Sequence, residues 1–314
     1  MQYYFAPMEG LTDSVYRRLH HKYFGGVDRY YMPFLSPTVH RALTPREARE
    51  LPPADSVGFA AVPQLLTKVA EDFLWAARVC KELGYTEVNL NLGCPSGTVT
   101  AKGKGSGMLR DPDQLDNFLY EIFSQNPLPI SIKSRIGFED PEEFPRLLDI
   151  YNRYPVHQLI LHPRVRKQFY KGAVDMDSFR YCLANSKAPV CYNGDLTSLS
   201  KIQFFQEQFP RVESVMLGRG LIGDPGMLVP GGTTVEALEP FMDELLEEYA
   251  VVFGSRRNAM FRLKENWGML CHRFAGSEKL TKKLRKTTDY DEFRAITAQI
   301  LHTLPLAEEL QPDW

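Results

Sequence analysis

The chemistry of this chain is concentrated in a few residues that stand where short apolar runs give way to loops. Cys94, in Asn91-Leu92-Gly93-Cys94-Pro95-Ser96, follows one such run directly and sits between a glycine and a proline. A free thiol titrates near roughly 8.5, so it is mostly protonated at neutral pH and can donate a proton. The other cysteines (Cys80, Cys182, Cys191 and Cys271) fall inside helix-like or strand-like stretches and read as packing residues. With no CxxC pair and an odd, scattered set, neither a zinc site nor a disulfide framework is expected. Reduced thiols point to the cytoplasm. Gln64, Lys133 and His162 also stand at the ends of apolar runs, where burying such groups unpaired costs several kcal/mol. One polar side chain in such a place has a structural explanation; a whole ring of them suggests a site.

The elements that must carry these residues follow from periodicity. Eight β-branched or aromatic runs recur at Tyr3–Pro7, Arg29–Pro33, Ala60–Leu65, Glu87–Leu92, Pro129–Ser134, Gln158–His162, Pro189–Asn193 and Ser214–Gly218. Between them Val69–Leu83, Pro112–Ser124, Glu142–Tyr154 and Leu199–Phe209 carry apolar residues at three- and four-residue spacing. Eight strand–helix units predict an α/β fold, a TIM (β/α)8 barrel. Ser36–Ser56, rich in proline and charge, reads as an irregular excursion with one short helix at Pro45–Glu50. After Pro230-Gly231-Gly232 the strand pattern stops. The expected division is a barrel over 1–238 and a small all-α bundle over 239–314, with Ser277 and Asp289 as helix caps.

In a TIM barrel the carboxyl ends of the strands ring one cavity. Asn193-Gly194-Asp195 and Gly218-Arg219-Gly220 end the seventh and eighth strands, where backbone amides hold phosphate in this fold. Asp195 suits a polyol hydroxyl or a backbone amide better than a phosphate. Lys133 and Gln64 can reach the polar edge of a planar ring, and a lysine there would stabilise an anionic reduced flavin. Ring edge, polyol chain and terminal phosphate together describe FMN. Lys102-Gly103-Lys104-Gly105-Ser106-Gly107 departs from the GxxxxGK[ST] phosphate loop and reads as a mobile loop beside the site.

Charge adds a partner. The 314-residue chain carries a net −2, but 254–286 holds ten Lys or Arg against Glu265 and Glu278, a local +8 that leaves −10 elsewhere. Such a block suits a polyanion, nucleic acid first. No apolar run reaches the ~20 residues of a membrane span, and no signal peptide is apparent at the amino terminus.

Taken in order, Ala6-Pro7-Met8-Glu9-Gly10, Gln64, Asn91-Leu92-Gly93-Cys94-Pro95, Lys133-Ser134-Arg135, His162-Pro163-Arg164 with Gln168, Tyr170 and Gly172, Tyr192–Asp195 and Gly218–Gly220 resemble the tRNA-dihydrouridine synthases over nearly the whole chain. The resemblance implies a flavin-binding barrel followed by a helical tRNA-binding domain. It implies that Pro7, Met8 and Glu9 border the flavin ring, with Gln64, Lys133 and His162 on the ring and ribityl chain. Asn193, Gly194, Asp195, Gly218 and Arg219 would hold the lower chain and phosphate. Asn91 and Arg135 would address the uracil; Tyr170 falls on the substrate side, and Arg262 and Lys264 match a basic pair facing tRNA. The implied reaction reduces the C5–C6 bond of a D-loop uridine with FMN, recharged by NADPH or NADH, and Cys94 as proton donor. Pro163 stands where many members have glycine; Glu9 and the short length look most like the C-type bacterial branch. A monomer suffices for one site and one tRNA. The rival readings are a small-molecule pyrimidine or dihydroorotate oxidoreductase, which has no use for the basic block, and a non-catalytic RNA-binding protein on a relic barrel.

Overall fold

A computed structural model describes residues 1–310 and 312; the last positions of the expected bundle, 311, 313 and 314, lie outside the described residues. Among the described residues nine parallel strands form one sheet: β1 (Gln2–Phe5), β2 (Arg29–Tyr31), β3 (Ala61–Val62), β4 (Gln64–Leu65), β5 (Val88–Leu92), β6 (Ile130–Gly137), β7 (Leu159–Val165), β8 (Val190–Tyr192) and β9 (Ser214–Leu217). The helices alternating with them are α1 (Ser14–Tyr23), α2 (Pro45–Glu50), α3 (Ala70–Glu82), α4 (Gly97–Thr100), α5 (Pro112–Gln125), α6 (Phe144–Tyr151), α7 (Met176–Asn185), α8 (Leu199–Gln208) and α9 (Arg219–Gly223). Then come α10 (Val235–Phe253), α11 (Arg256–Leu270), α12 (Glu278–Lys286) and α13 (Tyr290–Thr303), with no strand among them. The fold is a TIM barrel with a helical carboxyl-terminal portion.

The sheet order is β3-β2-β1-β9-β8-β7-β6-β5-β4. Its two edges, β3 and β4, are halves of one short run separated by Pro63 alone, so the chain itself links the two edges of the barrel. Proline has no N–H to give to a ladder. Its carbonyl is still used, accepting from Asn89 N at 2.8 Å. The expected third strand, Ala60–Leu65, is therefore present but split, each half serving a different neighbour.

Two strands run further than the sequence suggested. β6 continues to Gly137 and β7 to Val165, so Lys133 and His162 lie within strands and not at their last residues. Register pairs Asn91 with Lys133, and Arg135 with His162, before a shift between Arg135 and Gly137. Gly137 marks the bend: a Cβ there would come within 2.6 Å of the Asp140 carbonyl.

The helices begin where local chemistry supplies caps. Asp111 accepts from Gln114 N at 3.0 Å with Pro112 in the first turn of α5, and Leu115, Phe118, Leu119 and Ile122 form its buried face. Asp289 caps α13 as expected, accepting from Glu292 N at 2.8 Å. Ser277 does not cap α12; its hydroxyl donates to the Cys271 carbonyl at 2.7 Å, closing the preceding turn instead.

The chain divides into two compact units. The first comprises 1–9, 28–195 and 210–216, and its interior includes Tyr4, Ala6, Tyr31, Val62, Ile160, Cys191 and Met216, with Met8 packed on them. The second comprises 10–27, 196–209 and the described residues from Leu217 onward. Within the second, Phe241 of α10 meets Tyr16 and Phe24 edge-on at 5.5 and 5.2 Å. Lys22–Glu244 at 2.6 Å and Arg18–Glu248 tie α1 to α10.

Candidate active site

Strand β5 reads Val-Asn-Leu-Asn-Leu, and the two-residue period of a strand puts Asn89 and Asn91 on one face. Both are buried, so both need partners. Asn91 Nδ2 donates to Gln64 Oε1 at 2.7 Å; Gln64 Nε2 donates to Asn89 Oδ1 at 2.7 Å; Asn89 Nδ2 donates to Ser131 Oγ at 2.9 Å. Ser131 then donates to the carboxylate of Glu87. At the other end, Asn91 Oδ1 accepts from Gly93 N at 3.1 Å and Cys94 N at 2.9 Å. A hydrogen-bonded chain across β4, β5 and β6 thus ends on the backbone of Cys94 and fixes its turn. One N–H of Asn91 and one of Gln64 remain for a ligand.

The far side of the turn is fixed by the glycine-rich loop. Ser106 Oγ and Ser106 N both donate to the Cys94 carbonyl, at 2.7 and 3.2 Å. Gly105, Ser106 and Gly107 are buried. Gly105 has φ +58, and a Cβ on it would sit 3.1 Å from that of Cys94. The loop expected to be mobile is a packed buttress, and Lys104 anchors it by donating to Ser36 Oγ at 3.0 Å. Sequence reading missed Ser106. The small residues on either side of it were the available signal, since they mark close approach.

Cys94 is half-buried, unlike the other four cysteines, which are buried. Burial pushes its thiol up, opposed by the Ser96 backbone N–H and the cations of Arg135 and Lys133, with Glu9 adding a smaller upward push. Burial carries Cys80, Cys182 and Cys191 up to about 12, as inert packing thiols. Lys133 is lowered to about 8 by desolvation first and by the charge of Arg135 second. No carboxylate pairs with it among the described residues.

Arg135 is buried and donates Nε to the Gly93 carbonyl at 2.9 Å and Nη1 to the Val165 carbonyl at 3.1 Å, so it too holds the Cys94 turn. Desolvation lowers it to about 10. Its guanidinium lies 5.4 Å from the Tyr170 ring, and Tyr170 stacks on His162 at 6.0 Å. Arg164 is buried as well. Its Nη1 reaches Asp195 Oδ1 at 2.9 Å and His162 Nε2 at 3.1 Å, and its Nη2 holds the other Asp195 oxygen and the Gly172 carbonyl. A guanidinium only donates, so His162 Nε2 accepts and the ring proton sits on Nδ1. Nothing in the spacing of His162, Arg164 and Asp195 announced this fork.

The remaining expected positions are placed as follows. Pro7 and Met8 are half-buried after β1, and Glu9 is exposed and paired with Arg46. Asn193 Nδ2 donates to the Met216 carbonyl at 2.8 Å, and a Cβ on Gly194 would strike the Tyr192 hydroxyl at 2.1 Å, so only glycine fits there. Gly218 and Arg219 belong to the second unit and open α9. In that unit Arg219, Lys264, Arg285 and Lys286 line a cavity of about 630 Å³ with Glu265 and Phe261. Lys264 donates to the carbonyls of Thr287 and Arg285, and Arg262 pairs with Asp13 at 3.3 Å.

The donor set of the first unit fits a flavin. A desolvated ammonium without a carboxylate among the described residues and two amide N–H groups suit the carbonyl and nitrogen edge of such a ring. No helix of the described residues is long and apolar enough to cross a membrane.

Comparisons with known proteins agree with this chemistry. The family model described as dihydrouridine synthase (Dus) matches residues 4–310. "tRNA-dihydrouridine synthase B" of Pasteurella multocida is 25% identical over 90% of this chain and 81% of its own. A "probable tRNA-dihydrouridine synthase" of Rhizobium leguminosarum is 26% identical over 95% and 94%. Another, from Rickettsia conorii, is 30% identical over 71% and 67%. Among solved structures, the old yellow enzyme homologue of Zymomonas mobilis shares the fold, with a TM-score of 0.50 and 11% identity over 71% of this chain and 86% of that one. The chain belongs to the dihydrouridine synthase family, a family of flavin-dependent oxidoreductases.

Proposed function

We propose that this protein reduces the C5–C6 bond of a uridine in tRNA, a D-loop uridine, with FMN as resident cofactor and Cys94 as the proton donor to C5. The carrying observation is the Cys94 turn, clamped from both sides by Asn91 and Ser106, with a thiol that burial keeps protonated. Bound beside Lys133, FMN recharged by NADPH or NADH would supply the hydride to C6. The protein's own residues do the rest. Lys133 offsets negative charge at the ring, and Gln64 and His162 offer N–H groups to the ring and ribityl chain, with Pro7, Met8 and Glu9 bordering the ring. Asn193, Gly194 and Asp195 face the lower chain. Arg135 and Asn91 hold the thiol's turn, and the spare Asn91 N–H is available to the uracil.

A thiol is suited to the proton step because it stays neutral until it donates, and its anion is then stabilised by the nearby cations of Arg135 and Lys133. The uridine must leave its stack to reach a barrel cavity, which costs a few kcal/mol, least in a flexible loop. Cations of the helical unit, Arg262 and Lys264 among them, offset that cost on the phosphates and make binding salt-dependent. The protein acts in the cytoplasm as a monomer, and Glu9 places it with the C-type branch in our reading.

The test is Cys94→Ala. The variant retains bound flavin and its reduction by NADPH, but single-turnover formation of dihydrouridine falls by about 100-fold or more. Turnover at the wild-type rate in that variant ends the assignment. A purified protein that stays colourless after incubation with FMN ends the flavin reading.

A further inference from the structure

The segment after β7, Arg166–Lys171, carries three cations and no carboxylate, and it presents two adjacent aromatic rings to solvent. Tyr170 is accounted for by its stack on His162. Phe169 is not. It is 41% exposed, and its backbone has φ 53 and ψ −101, a left-handed value that a residue with a Cβ adopts rarely. Core packing does not explain an exposed ring on a strained residue, and such strain gathers at ligand clamps.

The turn that holds the ring is built firmly. Val165 N donates to Gln168 Oε1 at 2.9 Å, Phe169 N to the Arg166 carbonyl at 3.0 Å, and Lys171 N to the Gln168 carbonyl at 2.8 Å. Arg166 lies 5.0 Å from the Phe169 ring and donates Nε to the Pro95 carbonyl at 3.2 Å and Nη2 to Thr100 Oγ1 at 3.3 Å. The Phe169 platform is therefore linked through one guanidinium to the residue that follows Cys94. Lys167 and Lys171 on either side are exposed.

We propose that Phe169 is a nucleobase platform: its ring stacks on the unpaired base next to the target uridine, while Lys167 and Lys171 meet the adjoining phosphates. This rests on the reading that RNA is the substrate. Turning one base out of a loop leaves its neighbour without a stacking partner, and an exposed aromatic ring replaces that partner for any base. Interleaved cations and rings are the usual make-up of a single-strand contact. This contact belongs to the barrel unit and is additional to the basic block of the helical unit.

The experiment uses the flavin-loaded full chain and a tRNA with 2-aminopurine beside the target uridine. Wild-type protein quenches the probe on binding. Phe169→Ala keeps its flavin and the rate of flavin reduction by NADPH, loses the quench, and raises KM for tRNA about tenfold with kcat little changed, the usual worth of one base–aromatic stack. Phe169→Trp restores both, and Phe169→Gly, which relieves the backbone, behaves like alanine. An alanine variant with wild-type quench and KM overturns the platform. A wild-type protein that neither binds nor reduces tRNA overturns the underlying reading instead, and the two failures are told apart by that control.

Discussion

The two ends of the barrel hold similar residues in opposite states. At the amino ends of the strands, Arg29 donates to Glu87 at 2.8 Å, His157 lies 3.7 Å from the same carboxylate, and Ser131 donates to it from inside. Glu87 there has its counter-charge in Arg29. At the carboxyl ends, Lys133 has no carboxylate among the described residues, Arg135 gives Nε and Nη1 to backbone carbonyls, and Cys94 alone among the cysteines is not fully buried. At one end the buried carboxylate has its cations; at the other the ammonium of Lys133 is left for a ligand. That is how stability and chemistry are divided in this fold. The chain Glu87–Ser131–Asn89–Gln64–Asn91 joins them, so the closed end braces the open one.

Substitutions at each end separate these roles. The largest effect is that of Cys94→Ala, which leaves thermal stability near wild type while dihydrouridine formation falls by about 100-fold or more. Glu87→Ala is the converse. It strands Arg29 and Ser131, and should cost about 2–3 kcal/mol in denaturant unfolding with a smaller change in flavin reduction. Unchanged stability there would mean that the closed end is not a brace.

Lys133 sharpens the comparison through pH. In the flavin-free protein its charge is lost as pH rises through about 8. A bound ring edge that accepts from the ammonium favours the charged form and raises that value. Flavin binding at about pH 8–9 should then take up protons, seen as a buffer-dependent heat, and should weaken as pH rises further. Lys133→Met abolishes the uptake and weakens binding about tenfold. Binding without proton uptake would place the ring elsewhere.

The smallest effect belongs to the buttress. Ser106→Ala removes one of two hydrogen bonds to the Cys94 carbonyl, worth about 1 kcal/mol, and should slow single turnover about fivefold. An equal loss of flavin would mark the serine as structural only.

Much of this was legible in the residues. Strand and helix periods are local, so all eight runs, the short helix at Pro45–Glu50 and the late switch to helices could be read without a partner in view. That Cys94 differs from the other cysteines was legible, because it stands between glycine and proline after an apolar strand, and it is the half-buried one. Ser277 was misjudged because cap preference is local, whereas its hydroxyl found a carbonyl six residues back. The lengths of β6 and β7 were underestimated because Arg135 and Pro163-Arg164 look like loop residues until the two strands pair with each other.

By itself, then, the sequence determined the alternation of elements, the family motifs, the basic block and the place of Cys94 just after a strand. Tertiary structure decided how Pro63 lets one run serve both edges of the sheet, and which groups clamp Cys94. It also set the His162 tautomer through Arg164 and turned a glycine-rich loop into a wall. The physical reason is range. Period and propensity act over a few residues, but a hydrogen bond such as Ser106 to Cys94, or Arg164 to Asp195, depends on where two distant pieces of backbone come to rest.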